Sequence, residues 1–161
     1  MSEIFKIRDR LLHEMEHGVI TTKRLVSIVT PEQWDYRPKE NMRTLLELTH
    51  HLIMVPATDL AILQEKQGPE FDRIEGDIKS VTNPEQLGEL MQKSYESYKN
   101  YMVSLSENDF LHMSTKPFYS EQSSVQVKWL IETVTHLFHH RAQLFNYLKE
   151  LGHDINMFIL Y

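Results

Sequence analysis

Residues 127–148 read VKWLIETVTHLFHHRAQLFNYL, and the spacing of the apolar side chains in this stretch decides the fold. Val127, Leu130, Val134, Leu137, Leu144, Phe145 and Leu148 fall on one stripe of an α-helix, the pattern of a helix with one face on a core. Ser123 with Gln126 three residues on reads as a capping box, and Gly152 as the C-terminal stop, so a helix is expected over residues 123–151. Inside it, His136 and His140 stand four apart and leave the same face. Two imidazoles on one face can hold a single first-row divalent ion.

Three further segments carry the same period. The first covers residues 2–29, with Ile4, Ile7, Leu11, Met15, Val19 and Leu25 on its stripe. The second covers residues 44–67, where Gly68-Pro69 stops it. The third covers residues 83–105 and opens with Asn83-Pro84, an N-cap residue followed by Pro at the first helical position. No segment reads as a convincing strand. The expectation is an all-α four-helix bundle forming one domain over residues 1–161, with long connections before the third and fourth helices. Those connections leave two topologies open, up-down-up-down and a crossover arrangement. Residues 106–122 are polar but carry Phe110, Phe118 and Tyr119, so this connection is expected to pack. The apolar residues 155–161 are expected to lie against the bundle or a partner subunit. Pro56, five residues after His51, either bends the second helix and opens the bundle or breaks the helix in two.

Composition narrows the function. A net charge of −6 without any basic block argues against a nucleic-acid partner. The absence of Cys excludes disulfides, thiolate ligands and a cysteine nucleophile, and fits a cytoplasmic protein. The charged first ten residues do not read as a signal peptide, and no apolar run is long enough to span a membrane.

Helical geometry, at about 100° per residue, sorts the histidines. His51 falls about 80° from the centre of the apolar stripe of the second helix, at its inner margin, whereas His50 falls about 180° away and is expected to face solvent. On the fourth helix His140 lies about 80° and His136 about 120° from the stripe centre on one side, while His139 lies nearly opposite. His51, His136 and His140 are therefore the candidate metal ligands. A lone His at a core margin is more often a satisfied polar residue than a ligand. The pair on one helix, joined by an inward His on another and with no Cys competing, favours a site. Three neutral imidazoles leave the fourth tetrahedral position open, as catalytic sites do. Glu47 and Gln143 are placed to hydrogen-bond the ligand histidines from outside. His13, His17, His112 and His153 have weaker claims and the first two are expected at the surface. The eight Met and the tyrosines Tyr95, Tyr98 and Tyr101 read as packing residues.

At these residues the chain resembles the DinB/YfiT superfamily of metalloenzymes. The run Thr44-Leu45-Leu46-Glu47-Leu48-Thr49-His50-His51-Leu52, preceded by Trp34 to Arg43, is similar to the family's approach to its first metal-binding histidine. His136-x-x-x-His140-Arg141-x-Gln143 is similar to its fourth-helix signature, and the ending Leu151-Gly152 with Ile155 to Phe158 also matches. The resemblance implies a four-helix bundle, often a homodimer, with one divalent ion per chain, zinc or nickel foremost. It also implies chemistry on a small-molecule substrate. Characterised relatives include bacillithiol S-transferases and a mycothiol-dependent maleylpyruvate isomerase, and others are described as metal-dependent hydrolases. Three functions follow as expectations: a metal-dependent enzyme that activates a low-molecular-weight thiol, a hydrolase with hydroxide as nucleophile, and a non-enzymatic metal- or ligand-binding bundle.

Overall fold

Ser2 opens the first helix, its hydroxyl accepting from the Ile4 N–H. The structure, a computed structural model, describes residues 2–161. Four long helices carry the fold: α1 (Glu3–Ser27), α2 (Leu45–Leu63), α4 (Pro84–Ser104) and α6 (Gln126–Glu150). Two short helices, α3 (Pro69–Lys79) and α5 (Glu107–His112), and a two-rung antiparallel ribbon, β1 (Ser114–Thr115) with β2 (Ser124–Val125), complete it. The all-α four-helix bundle expected from the sequence is the fold observed.

The main helix pairings are α1 with α4, α4 with α2, α2 with α6, and α6 with α1, which closes a four-cornered ring around the core. Cross-helix contacts give the directions. Thr21 meets Arg141 and Gly18 faces Leu137, so α1 and α6 run parallel. Tyr95 reaches Leu12 while Gly88 faces Lys23, so α4 runs against α1. His51 meets His140 while Asp59 meets Thr133, so α2 runs against α6. The order is up-down-down-up, and the crossover arrangement is the one adopted. Adjacent parallel helices α2 and α4 need a return path of roughly 28 Å, the length of a 19-residue helix. α3 supplies about 16 Å of it in its 11 residues while packing on α2.

α3 was not expected. Gly68-Pro69 reads as a stop for α2, and α2 does end nearby, with Glu65 in the left-handed region at φ 57°. The same Pro sits at the first position of a new helix, where its missing N–H costs nothing. The spacing of Phe71, Ile74 and Ile78 marks that helix's apolar stripe. α6 begins three residues after the expected start: its N-cap is Val125, with no side-chain cap, and Ser123 lies outside. The amide of Gln126 is instead buried in a small network, accepting from Tyr101 and donating to Thr115. Ile7, placed on the core stripe of α1 by its period, is exposed. α2 passes Pro56 without a break, as one helix from Leu45 to Leu63.

The core holds Met15, Leu25, Leu45, Leu52, Tyr95 and Tyr98 among its fully buried side chains. α1 and α6 touch at Gly18, where a Cβ would run into the Leu137 side chain, so the glycine sets how closely the histidine-bearing part of α6 approaches α1. The C-terminal turn (Met157–Leu160) packs on α1, with the Leu160 carbonyl accepting from His17 Nε2 at 2.8 Å and the Tyr161 carbonyl from Arg24 at 2.8 Å. His17, expected as a surface residue, is therefore half-buried and structural. None of the helices among the described residues is long and apolar enough to cross a membrane.

Candidate metal centre

Thr44 fixes the start of α2: its hydroxyl accepts from the Glu47 N–H at 3.1 Å, and the Glu47 carboxylate accepts from the Thr44 N–H at 2.7 Å. This capping box sets the phase of the helix, and two turns on it delivers His51 toward α6. From α6, His136 and His140 reach back one turn apart. One ring nitrogen from each of His51, His136 and His140 lies within 4.8 Å of the other two. Their ring centroids are 5.4 Å (His51–His136), 4.4 Å (His51–His140) and 4.8 Å (His136–His140) apart. Three imidazole nitrogens about 2.1 Å from one tetrahedral ion stand roughly 3.4 Å from each other, so the rings would close by up to about 1.4 Å, within reach of side-chain rotation.

The electrostatics suit a cation ligand set. Burial holds His51 and His140 down at about 4, with the neighbouring imidazoles and Arg43 pushing the same way, and for His140 with the Gln143 hydrogen bond opposing. His136 is lowered too, by burial first, then by His139 and Arg43. All three are neutral at pH 7, the form that offers a lone pair to a metal. Gln143 then selects the nitrogen. Its amide oxygen lies 2.8 Å from His140 Nδ1, while its amide nitrogen lies 3.3 Å from His139 Nε2. With the amide oriented this way, His140 Nδ1–H donates and Nε2 keeps its lone pair for the site. The residues present therefore fit a single divalent ion with open coordination.

The expected ligand trio is brought together, and its neighbours divide. His139 is exposed, as its facing predicts. His50 is not: it is 7% exposed, and its Nε2 donates to the Val81 carbonyl at 2.6 Å. The facing estimate failed because α3 and the residues after it cover that side of α2. His50 ties the connection to the bundle and leaves the site to His51. Glu47 is committed to the cap, which holds its carboxyl below the usual carboxylate range, and is absent from the histidine cluster. Arg141, next to His140, points away: it donates to Thr21 and stacks on Phe138 at 4.3 Å. None of the three tyrosines of α4 points its hydroxyl to the site; they bond Leu12, Thr133 and Gln126.

Two neighbours escaped the sequence reading. Arg43 lines a cavity of about 680 Å³ that opens on His51, along with Arg37 and Lys79. Arg37 pairs with Glu47 and Lys79 with Glu75. Asp59 is the other, eight residues beyond His51 and the only charged residue between Leu52 and Leu63. That solitary charge in an apolar helix is the signal that could have found it.

Comparison with known proteins follows the same lines. The sequence profile of the DinB family matches residues 4–159. A DinB-family candidate from Exiguobacterium sibiricum is 29% identical, with each chain covered over 99% of its length and a TM-score of 0.75. YfiT from Bacillus subtilis, described as a probable metal-dependent hydrolase with an unusual four-helix bundle topology, aligns at 17% identity and TM-score 0.73, over 94% of this chain and 90% of YfiT. A DinB-like protein from Bacillus cereus aligns at 15% identity and TM-score 0.69, over 88% of this chain and 91% of its own. These last two share the fold. Among curated proteins, none matches the chain.

Proposed function

The chain belongs to the DinB family, and from that premise we propose that it is a divalent-metal-dependent enzyme in which His51, His136 and His140 hold the ion and a low-molecular-weight thiol is activated for transfer to an electrophile. The observation that carries the reading is the convergence of three neutral imidazole nitrogens from α2 and α6 within 4.8 Å, with no fourth protein ligand in the group. A bound zinc or nickel ion would supply Lewis acidity that lowers the pKa of a coordinated thiol or water.

The chain's own residues do the rest. Gln143 orients His140, and the Thr44–Glu47 cap holds the helix that presents His51. The cavity beside His51 gives a small molecule access, and Arg43 on its wall is close enough to act on all three imidazoles. The thiol reading is favoured over hydrolysis by the fate of Glu47. A thiol, with an ordinary pKa of about 8.5, needs little help to ionise, whereas activating water commonly draws on a nearby carboxylate base. Glu47 is committed to its cap, which leaves Asp59, in the cavity on which His136 borders, as the carboxylate that hydrolysis would draw on. The hydrolase reading remains the second, supported by the description of YfiT.

The two are separated by assaying the metal-loaded protein with monochlorobimane and a panel of thiols. Thiol-dependent conjugation that disappears on chelation is the expected result. Metal-dependent turnover of ester or amide substrates without any thiol would replace the first reading with the second.

A further inference from the structure

Beside the histidine cluster a second cavity of about 570 Å³ opens, lined by residues of α2, α6 and the β1–β2 connection and bordered by His136 but not by His51. His136 stands on its rim, and Asp59, Trp129, Tyr119 and Glu132 form walls that give it its chemistry. Asp59 is 9% exposed. Its Oδ2 accepts from the Thr133 hydroxyl at 2.8 Å, and that hydroxyl oxygen accepts in turn from Tyr98 at 3.1 Å. Oδ1 receives no hydrogen bond from the described residues, and no Lys or Arg among them pairs with this carboxylate.

A packing role does not call for such a group. The Thr133 hydroxyl already has the Trp129 carbonyl within reach at 2.9 Å, and an unpaired carboxylate in an apolar helix costs free energy that an amide or a second hydroxyl would avoid. Burial raises the Asp59 carboxyl to about 6, helped by Glu132 and opposed by the Thr133 hydrogen bond. At neutral pH the cavity therefore holds a largely ionised carboxylate with one oxygen unused. Glu132 adds a second negative group at the mouth, where it pairs with Lys128. Tyr119, 64% exposed, lines the same cavity as both acids. Aromatic walls and a largely buried carboxylate are what an organic cation prefers: polarisable rings beside its charge and an acceptor for its N–H groups.

We propose that this cavity binds the protonated amine of a small organic ligand, with Asp59 accepting from the ammonium and Trp129 and Tyr119 walling it, next to His136. As a binding site this stands on the cavity alone. As a feature of the substrate or cosubstrate it rests on the metal-enzyme reading above, and it then selects amine-bearing small molecules.

The test compares two probes of matched shape, benzylammonium and benzyl alcohol, on zinc-loaded and on metal-free protein. Binding is followed by titration calorimetry and by the Trp129 indole N–H signal, distinguished from that of Trp34 with a Trp34→Phe variant. Benzylammonium is expected to bind at least about tenfold more tightly than the alcohol and to shift the Trp129 signal. Asp59→Asn, which keeps an oxygen for the Thr133 hydroxyl, is expected to abolish the preference. Should that variant fold poorly, Asp59→Ser is read in its place at the same pH, with the same loss of preference expected. Equal binding of the probes, binding of neither, or a preference that survives substitution of Asp59 overturns the proposal. A preserved amine preference in a protein that takes up no metal would count against the metal-enzyme reading alone.

Discussion

α2 and α6 face each other along two polar clusters that differ in what their lone pairs do. At one end, His51, His136 and His140 bring nitrogen lone pairs together with only Gln143 engaging one of the rings from outside. Two turns along α2, Asp59, Thr133 and Tyr98 form a hydrogen-bonded chain in which donors and acceptors mostly satisfy one another. The first cluster gathers neutral imidazoles that make no hydrogen bond to one another, an arrangement with little folding value that suits a cation. The second is a core network with a single oxygen left over. The same pair of antiparallel helices thus gathers unbonded nitrogens at one end and, two turns on, a bonded network whose one spare carboxylate oxygen belongs to a cavity wall.

Substitutions can break that contrast, beginning with the largest effect. His51→Ala should lower zinc affinity by about a thousandfold, since the ~10–16 kcal/mol of a structural zinc site is shared among its few donors. Competition with a chromophoric chelator measures it, and unchanged affinity would remove α2 from the site. Asp59→Asn should act in the opposite sense on stability. The wild-type carboxyl is raised from 3.8 to about 6 in the folded chain, so its contribution is fully present below pH 3.8 and is lost as pH rises through 6. Asn cannot ionise, so the variant should be more stable by about 2 to 3 kcal/mol at pH 8, with the gain fading toward pH 4. Thermal melts at several pH values check this, and a pH-independent difference would mean that the carboxylate is not strained by burial.

Smaller effects sharpen the comparison. Gln143→Ala should weaken metal binding by about 10- to 100-fold with little change in melting temperature, because the half-buried Gln143 side chain hydrogen-bonds only His140 and His139. Thr44→Ala removes the cap that presents His51 and should cost about 1 kcal/mol of stability, read from chemical denaturation. If it lowered metal affinity as much as Gln143→Ala, the cap would be setting the ligand geometry as well as the helix.

The site was more legible in the sequence than the topology. The i, i+4 spacing of His136 and His140, and the position of His51 at the edge of an apolar stripe, are consequences of helix geometry alone, and a bundle keeps those faces. His50 defied the same reasoning because its partner, Val81, belongs to a connection whose helical character was hidden by Gly68-Pro69. A face can be assigned to solvent only when every element that packs on it is known. The up-down-down-up order was likewise invisible, since it depends on α3 carrying the chain back along α2. Asp59 was passed over for a related reason. Its hydrogen-bond partner stands 74 positions away on α6, and a single charge in an apolar run shows its role only when the opposite helix is in place.

The central claim, that His51, His136 and His140 form one metal site, is tested most directly by measuring the metal content of untagged protein purified without added metal. Wild type should carry about one equivalent of a single divalent ion per chain, and a His136→Ala, His140→Ala double variant that keeps its helical spectrum should carry almost none. A double variant that retains as much metal as wild type would contradict the account.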